Sequence, residues 1–293
     1  VIYEIPKGKE RTTEKLRNEF IRICSEIRKK DGLPQVNHPF DVSFSTRYNS
    51  EFWDMVEIFE SMEIWNGATP FAAGTINAKA FKKWLSLLDE GKRLTATTGS
   101  DTHNIYGDDY FGMTEWLDWL MDIVMKHPEI YPVHMNENVA YLTWLYNKVW
   151  PRLLSWVEQS NTPSTIHNYV YTNGKNQPQE ILQAIREGHS FISNGPLVTA
   201  EVNGVSYGEK AVLKDRTGTL SVHVFSKKPI NHLWMYTGAD KKVELCAKAD
   251  AAEGGFMYDI AADELDFGDA AWVLFVADGG ENNLAISNPI LFA

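Results

Sequence analysis

Three short segments of this 293-residue chain carry side chains able to bind a metal or move a proton, and each directly follows a strand-like run. The first is Asn37-His38-Pro39, where His38 can reach a metal and Pro39 ends the strand ladder. The second is Asn66-Gly67, whose carboxamide can hydrogen-bond a bound water or a substrate oxygen. The third is Gly99-Ser100-Asp101-Thr102-His103. Asp101 and His103, two residues apart in extended chain, point the same way. A carboxylate beside an imidazole is a chelating pair suited to Zn²⁺, Mn²⁺ or Fe. The same pair could be half of an acid-base couple, but no G-x-S-x-G elbow or cysteine nucleophile setting accompanies it. Of the remaining histidines, His167 lies before a strand-like run, while His127, His134, His189, His223 and His232 read as ordinary loop or surface residues.

Elements must hold these loops in place. Thr12 and Thr13 are candidate N-caps for a helix with Leu16, Phe20, Ile23 and Ile27 on one face, stopped at Gly32. Strands are expected over Leu33 to Asn37, Met55 to Phe59, Met62 to Trp65 and Leu94 to Thr98, with a helix from Asn77 to Glu90. Such alternation predicts a parallel sheet or barrel, which places functional loops at the carboxyl ends of its strands. A Trp-rich stretch from about 110 to 160 reads as a helical insertion packed on that scaffold. Alternation resumes with Asn168 to Thr172, a helix over Pro178 to Glu187, and His189 to Ser193 ending at Asn194-Gly195-Pro196. Beyond Leu197 only short, evenly spaced strand-like runs remain, the pattern of an all-β sandwich. The expected division is therefore 1–196 and 197–293.

Composition narrows the function classes. Twenty-eight Lys and Arg against 39 Asp and Glu give a net charge of −11 with no long basic run, which disfavours nucleic-acid binding. No run of about 18 apolar residues occurs, so no membrane-spanning helix is expected. Cys24 and Cys246 are too few for a disulfide scaffold and too far apart for a C-x-x-C site. The chain opens VIYEIPKG, without an initiator Met or a signal peptide, and reads as part of a longer polypeptide; its compartment cannot be read from that end.

The motif order N-H-P-F, E-I-W-N-G, G-S-D-T-H, Y-V-Y-T, G-H-S-F-I-S-N-G-P and N-N-L-A-I-S-N-P-I resembles the PHP (polymerase and histidinol phosphatase) superfamily, and within it the CehA/McbA-type metallohydrolases. The resemblance implies a distorted seven-stranded (β/α) barrel, here partial, with a helical insertion and a small C-terminal β-sandwich-like domain. It implies two or three divalent metal ions at the strand ends, with His38, Asp101 and His103 as ligands and Asn66 and Asn194 lining or supporting the site. The family's upstream H-x-H and D-H ligands have no counterpart here, since residues 1–37 contain no histidine. The expected activity is hydrolysis of an ester, amide or phosphoester in a small-molecule substrate by a metal-activated water. An upstream segment or another subunit would complete the ligand set and cover the open barrel edge. The alternative is a non-catalytic carbohydrate- or protein-binding module on a degenerate scaffold.

Overall fold

The structure is a computed structural model that describes residues 12–40, 50–67, 71–101, 166–245, 249–280 and 283–293. Two compact units divide the chain: residues 1–99 with 166–293, and residues 100–165. Of the second, Ser100 and Asp101 are described; His103 and the expected helical insertion lie outside the described residues.

The first unit begins with helix α1 (Thr13–Arg28), whose N-cap Thr12 accepts a hydrogen bond from the Lys15 N–H. Strands β1 (Gln35–Val36), β2 (Ser61–Asn66) and β3 (Thr95–Gly99) then form a parallel sheet in that order. Helix α2 (Ile76–Asp89) makes the crossover from β2 to β3 and is capped by Thr75. Its Trp84 is fully buried and donates its indole N–H to Leu94 O at 2.8 Å, which fixes the helix to the entry of β3. Val36, Met62, Ile64 and Ala96 share one core cluster with Trp84, Leu85 and Leu88.

Two further sheets follow. Strands β4 (His167–Val170) and β5 (Ser190–Ser193) flank helix α3 (Pro178–Glu187), which has Pro178 at its start and Gly188 in the left-handed cap conformation (φ 80°). After β6 (Leu197–Val202), β7 (Lys210–Ala211) and β8 (Thr217–Ser226) come β9 (His232–Gly238), β10 (Lys241–Glu244), β11 (Ala249–Ala252) and β12 (Gly255–Asp266). The chain closes with β13 (Trp272–Asp278), β14 (Leu284–Ser287) and β15 (Ile290–Phe292). One sheet has the order β10-β9-β13-β14-β5-β4, with β15 pairing β13 and β7 pairing β15; the other has the order β11-β12-β8-β6. Alternate residues of β6 are buried, Val198, Ala200 and Val202, and they join Val222, Val224, Met235, Val273 and Phe275 in a second core. The central strand β13 of the larger sheet is buried on both faces. Trp272, Leu274 and Val276 of β13 belong to the first core, Val273, Phe275 and Ala277 to the second.

These sheets overturn the partial (β/α)7 barrel expected from the sequence. Among the described residues strand outweighs helix, 41% against 24%, and no closed barrel forms. The β-α-β alternation produces parallel neighbours only as far as β3. Beyond it, β4 and β5 are also separated by a helix, yet they pair antiparallel, Asn168 opposite Ile192. A strand-helix-strand pattern in sequence does not distinguish a parallel crossover from an antiparallel return. The stretch expected as a strand at Met55 to Phe59 lies mostly in a 3-10 helix, Ser50–Ile58. The larger sheet also runs across residue 197, joining β4 and β5 to β9, β10, β13 and β14.

The parallel sheet meets the antiparallel one through side chains. Buried Asn288 accepts the Ala96 N–H at 2.7 Å and donates to Ala96 O at 3.2 Å, and also to Ser190 O and Oγ, both at 3.0 Å. Asn168 does the same one rung on, accepting the Thr98 N–H at 3.0 Å and donating to Thr98 O at 2.8 Å. A second tie runs through Glu60, whose carboxylate takes the Arg28 Nε at 2.6 Å and the Arg186 Nε at 2.7 Å. The same guanidiniums reach the Ile58 and Gly32 carbonyls, so α1, α3 and both turns bordering the parallel sheet are clamped together. Cys24 is 2% exposed, and its thiol is pushed up to about 11 by burial, which leaves it inert.

Two outcomes test these ties. Asn288→Ala should lower unfolding free energy by about 3 kcal/mol, because buried groups of Ala96 and Ser190 lose their partner; urea unfolding measures it. At Glu60, burial pushes the carboxyl up, but hydrogen bonds from Arg186 and Arg28 more than reverse this, leaving it below its ordinary value. A folded-state pKa that is depressed contributes stability above the unfolded value of about 4.3, which is lost as pH falls through the folded value. Glu60→Gln should therefore cost about 1 kcal/mol near pH 6, the guanidiniums being partly exposed and screened. That difference should shrink toward zero as unfolding is repeated at progressively lower pH.

Candidate functional site at the carboxyl edge of the parallel sheet

The three parallel strands deliver a set of polar groups to one edge. On one face of the sheet alternate residues are polar and buried: Ser61 and Glu63 of β2 and Thr95 and Thr97 of β3. Gln35 of β1 ties two of them together, its Oε1 accepting from Ser61 Oγ at 3.1 Å and Thr97 Oγ1 at 2.9 Å. Its Nε2 donates to Asn37 Oδ1 at 2.7 Å, carrying the row to the turn that holds His38. The opposite face supplies Val36, Met62, Ile64 and Ala96 to the core. A parallel sheet usually buries apolar residues on both faces, so a hydrogen-bonded polar face is a departure that calls for a reason.

Glu63 stands at the centre of this row and is 5% exposed. Its Oε2 accepts the His38 backbone N–H at 2.6 Å, a short hydrogen bond. Its Oε1 lies where a side chain on Gly99 would come within 3.0 Å, so the glycine makes room for the carboxylate. One carboxylate thus touches the turn after β1 and the last residue of β3. Between Glu63 and Trp65 the register to β3 slips, Glu63 facing Thr97 and Trp65 facing Thr98. Bulges of this kind re-aim side chains and are frequent beside functional sites.

His38 adopts φ 28°, on the left-handed side that a non-glycine residue enters at a cost of about 1–3 kcal/mol. A hydrogen bond contributes about 0.5–1.5 kcal/mol, and more to a charged acceptor, which offsets part or all of that cost. Asn66 closes β2 and is 4% exposed; its N–H donates to Asn77 Oδ1 at 2.8 Å and its carbonyl accepts from Asn77 Nδ2 at 3.0 Å, so the first turn of α2 fixes this rung. Gly67 N–H donates to Gly99 O at 2.7 Å, joining the exits of β2 and β3. His167, at the start of β4, pairs with Ser193 and so lies at the same end as Gly99, one residue from the Asn168–Thr98 tie.

The other candidates divide. Asn194 donates its N–H to Leu284 O at 3.1 Å and accepts the Leu284 N–H on Oδ1 at 2.8 Å, extending the β5–β14 ladder. Asp101 follows β3 by two residues and has φ 57°, a conformation Asp tolerates. His103 is outside the described residues. Among the described residues no group of three or more His, Cys, Asp or Glu is gathered to hold a metal ion. His38 and Glu63 are of the donor types that suit Zn²⁺ or Mn²⁺, and they adjoin through the main chain.

Sequence reasoning missed Glu63, although a carboxylate inside an otherwise apolar strand was a visible signal. It also missed a row on β8 and β12. Ser221 Oγ lies 2.9 Å from His223 Nε2, and His223 Nδ1 lies 2.5 Å from Asp259 Oδ1. The order is that of a nucleophilic triad, but the His223 and Asp259 side chains are 56% and 55% exposed on an open sheet face. Strand β8 pairs on both sides, so its amides serve the ladders and are not turned toward an oxyanion. His232 and His189 likewise sit beside carboxylates, Glu244 at 2.7 Å and Glu187 at 3.5 Å.

Compared with known proteins, the chain matches no family model, no curated protein and no solved structure.

Proposed function

We propose that this chain belongs to a metal-dependent hydrolase acting on an ester, amide or phosphoester of a small molecule, with His38, Asp101 and His103 as ligands of a divalent ion, Zn²⁺, Mn²⁺ or Fe²⁺. The observation that carries the reading is the buried polar face at the carboxyl edge of β1–β3, where Gln35 joins Ser61 and Thr97 and Glu63 holds the His38 N–H. A polar network there has no use in packing, and the carboxyl ends of parallel strands are where such architectures place chemistry. An ion held there would lower the pKa of a water toward neutrality and polarise the scissile centre. His38 and His103 would serve as neutral imidazoles and Asp101 as an anion able to bridge to a second ion, whose further ligands would come from outside the described residues. Asn66, on the same edge, would orient water or substrate, and Asn194 would support that edge by fixing β5 to β14.

The alternative, a carbohydrate-binding module, has less support. Trp234 on β9 has the Lys242 ammonium 3.8 Å from its ring centre and His232 stacked at 5.2 Å, and a sugar would have to displace them. The deciding measurement is elemental analysis of protein purified without chelator. Bound Zn, Mn or Fe should approach one ion or more per chain, and His38→Ala and Asp101→Ala should each weaken retention at least about tenfold. Trace metal that neither substitution changes would remove the hydrolase reading.

A further inference from the structure

We propose that Glu63 is the positioning residue of this edge: its buried carboxylate holds the His38 peptide in its left-handed turn and so sets the place from which the imidazole acts. The role rests on the metal-site reading of His38, but its geometry stands apart from any ion. Four observations converge. Glu63 is 5% exposed, a costly place for a carboxyl group unless it is hydrogen-bonded. It spends one oxygen on the N–H of His38, which has positive φ in the turn after β1. The bulge that follows it in β2 displaces the strand relative to β3 at that level. Gly99, opposite, leaves the space its other oxygen needs.

A residue kept only to fill space would be served better by an apolar side chain of the same length. The carboxylate instead reads as an acceptor that the turn requires, because a histidine lacks the conformational freedom of glycine and needs an external tie to stay at φ 28°. The essential property is the acceptor oxygen at this reach. Glutamine keeps it; methionine keeps the length without it; aspartate keeps the charge but falls one methylene short.

The test uses the full chain labelled with ¹⁵N-histidine, whose eight histidines give a small set of amide signals. His38 is assigned by its loss in His38→Gln. In the unaltered protein the His38 amide should be shifted downfield and exchange slowly with solvent. Glu63→Gln should keep the protection within about threefold, whereas Glu63→Met should exchange at least about tenfold faster, with the signals of His223 and His232 unmoved. Should Glu63→Met fail to fold, Glu63→Asp is expected to show the same loss. Equal exchange at His38 in all variants, or acceleration at every histidine alike, overturns the proposal. Zn²⁺ titration of the same samples separates the two readings. Protection lost together with weakened binding supports both, while a protected His38 amide in a protein that binds no Zn²⁺ sinks the hydrolase reading and leaves the positioning role standing.

Discussion

Two carboxamides carry the junction on which the first unit depends. A strand shows the N–H and C=O of alternate residues to the same side, and β3 shows those of Ala96 and Thr98 toward the antiparallel sheet. In an ordinary sheet a neighbouring strand would meet them. Here Asn288 and Asn168 each meet one pair, supplying donor and acceptor as a peptide group would. A regular ladder would force β3 and its neighbours into one continuous twist. Separate carboxamides satisfy the same groups while letting the parallel and antiparallel sheets keep different geometries. Asn77 applies the device once more, to the last rung of β2.

With β3 anchored, the carboxyl ends of the parallel strands become a fixed platform. The Glu60 clamp holds the amino-terminal side, where turns from α1 and the 3-10 helix meet α3. Gln35, through Asn37, and Glu63, through the His38 N–H, each tie that platform to the His38 turn. Backbone that a histidine would not adopt alone is kept by a carboxylate that water barely reaches. Strain at a site persists only where its surroundings over-determine it, and here the surroundings include α2, the bulge in β2 and a glycine in β3.

The sequence made much of the local structure legible. Thr12, Thr75 and Pro178 announce their helices, and the alternation in β6 declares which residues face the core. The ends of β1 and β2, where His38 and Asn66 lie, are legible because each closes a strand-like run in an alternating pattern. What could not be read is which strands become neighbours. The run of β4, α3 and β5 has the periodicity of a parallel unit, and the groups that meet β5, on β14 and at Asn288, lie nearly a hundred residues downstream. Glu63 was passed over for a related reason. Its meaning lies in a main-chain donor 25 residues earlier and a glycine 36 residues later, and neither proximity has a signature in spacing.

The span of the Asn288 tie also orders events in time. Ala96 and Asn288 are separated by 192 residues, so on the ribosome β3 is made long before the group that satisfies its edge. Through that interval a strand with open hydrogen-bonding groups must wait, and the closing of so large a loop is slow. The edge of the sheet that leads to His38 is therefore completed late, only once Asn288 has been made.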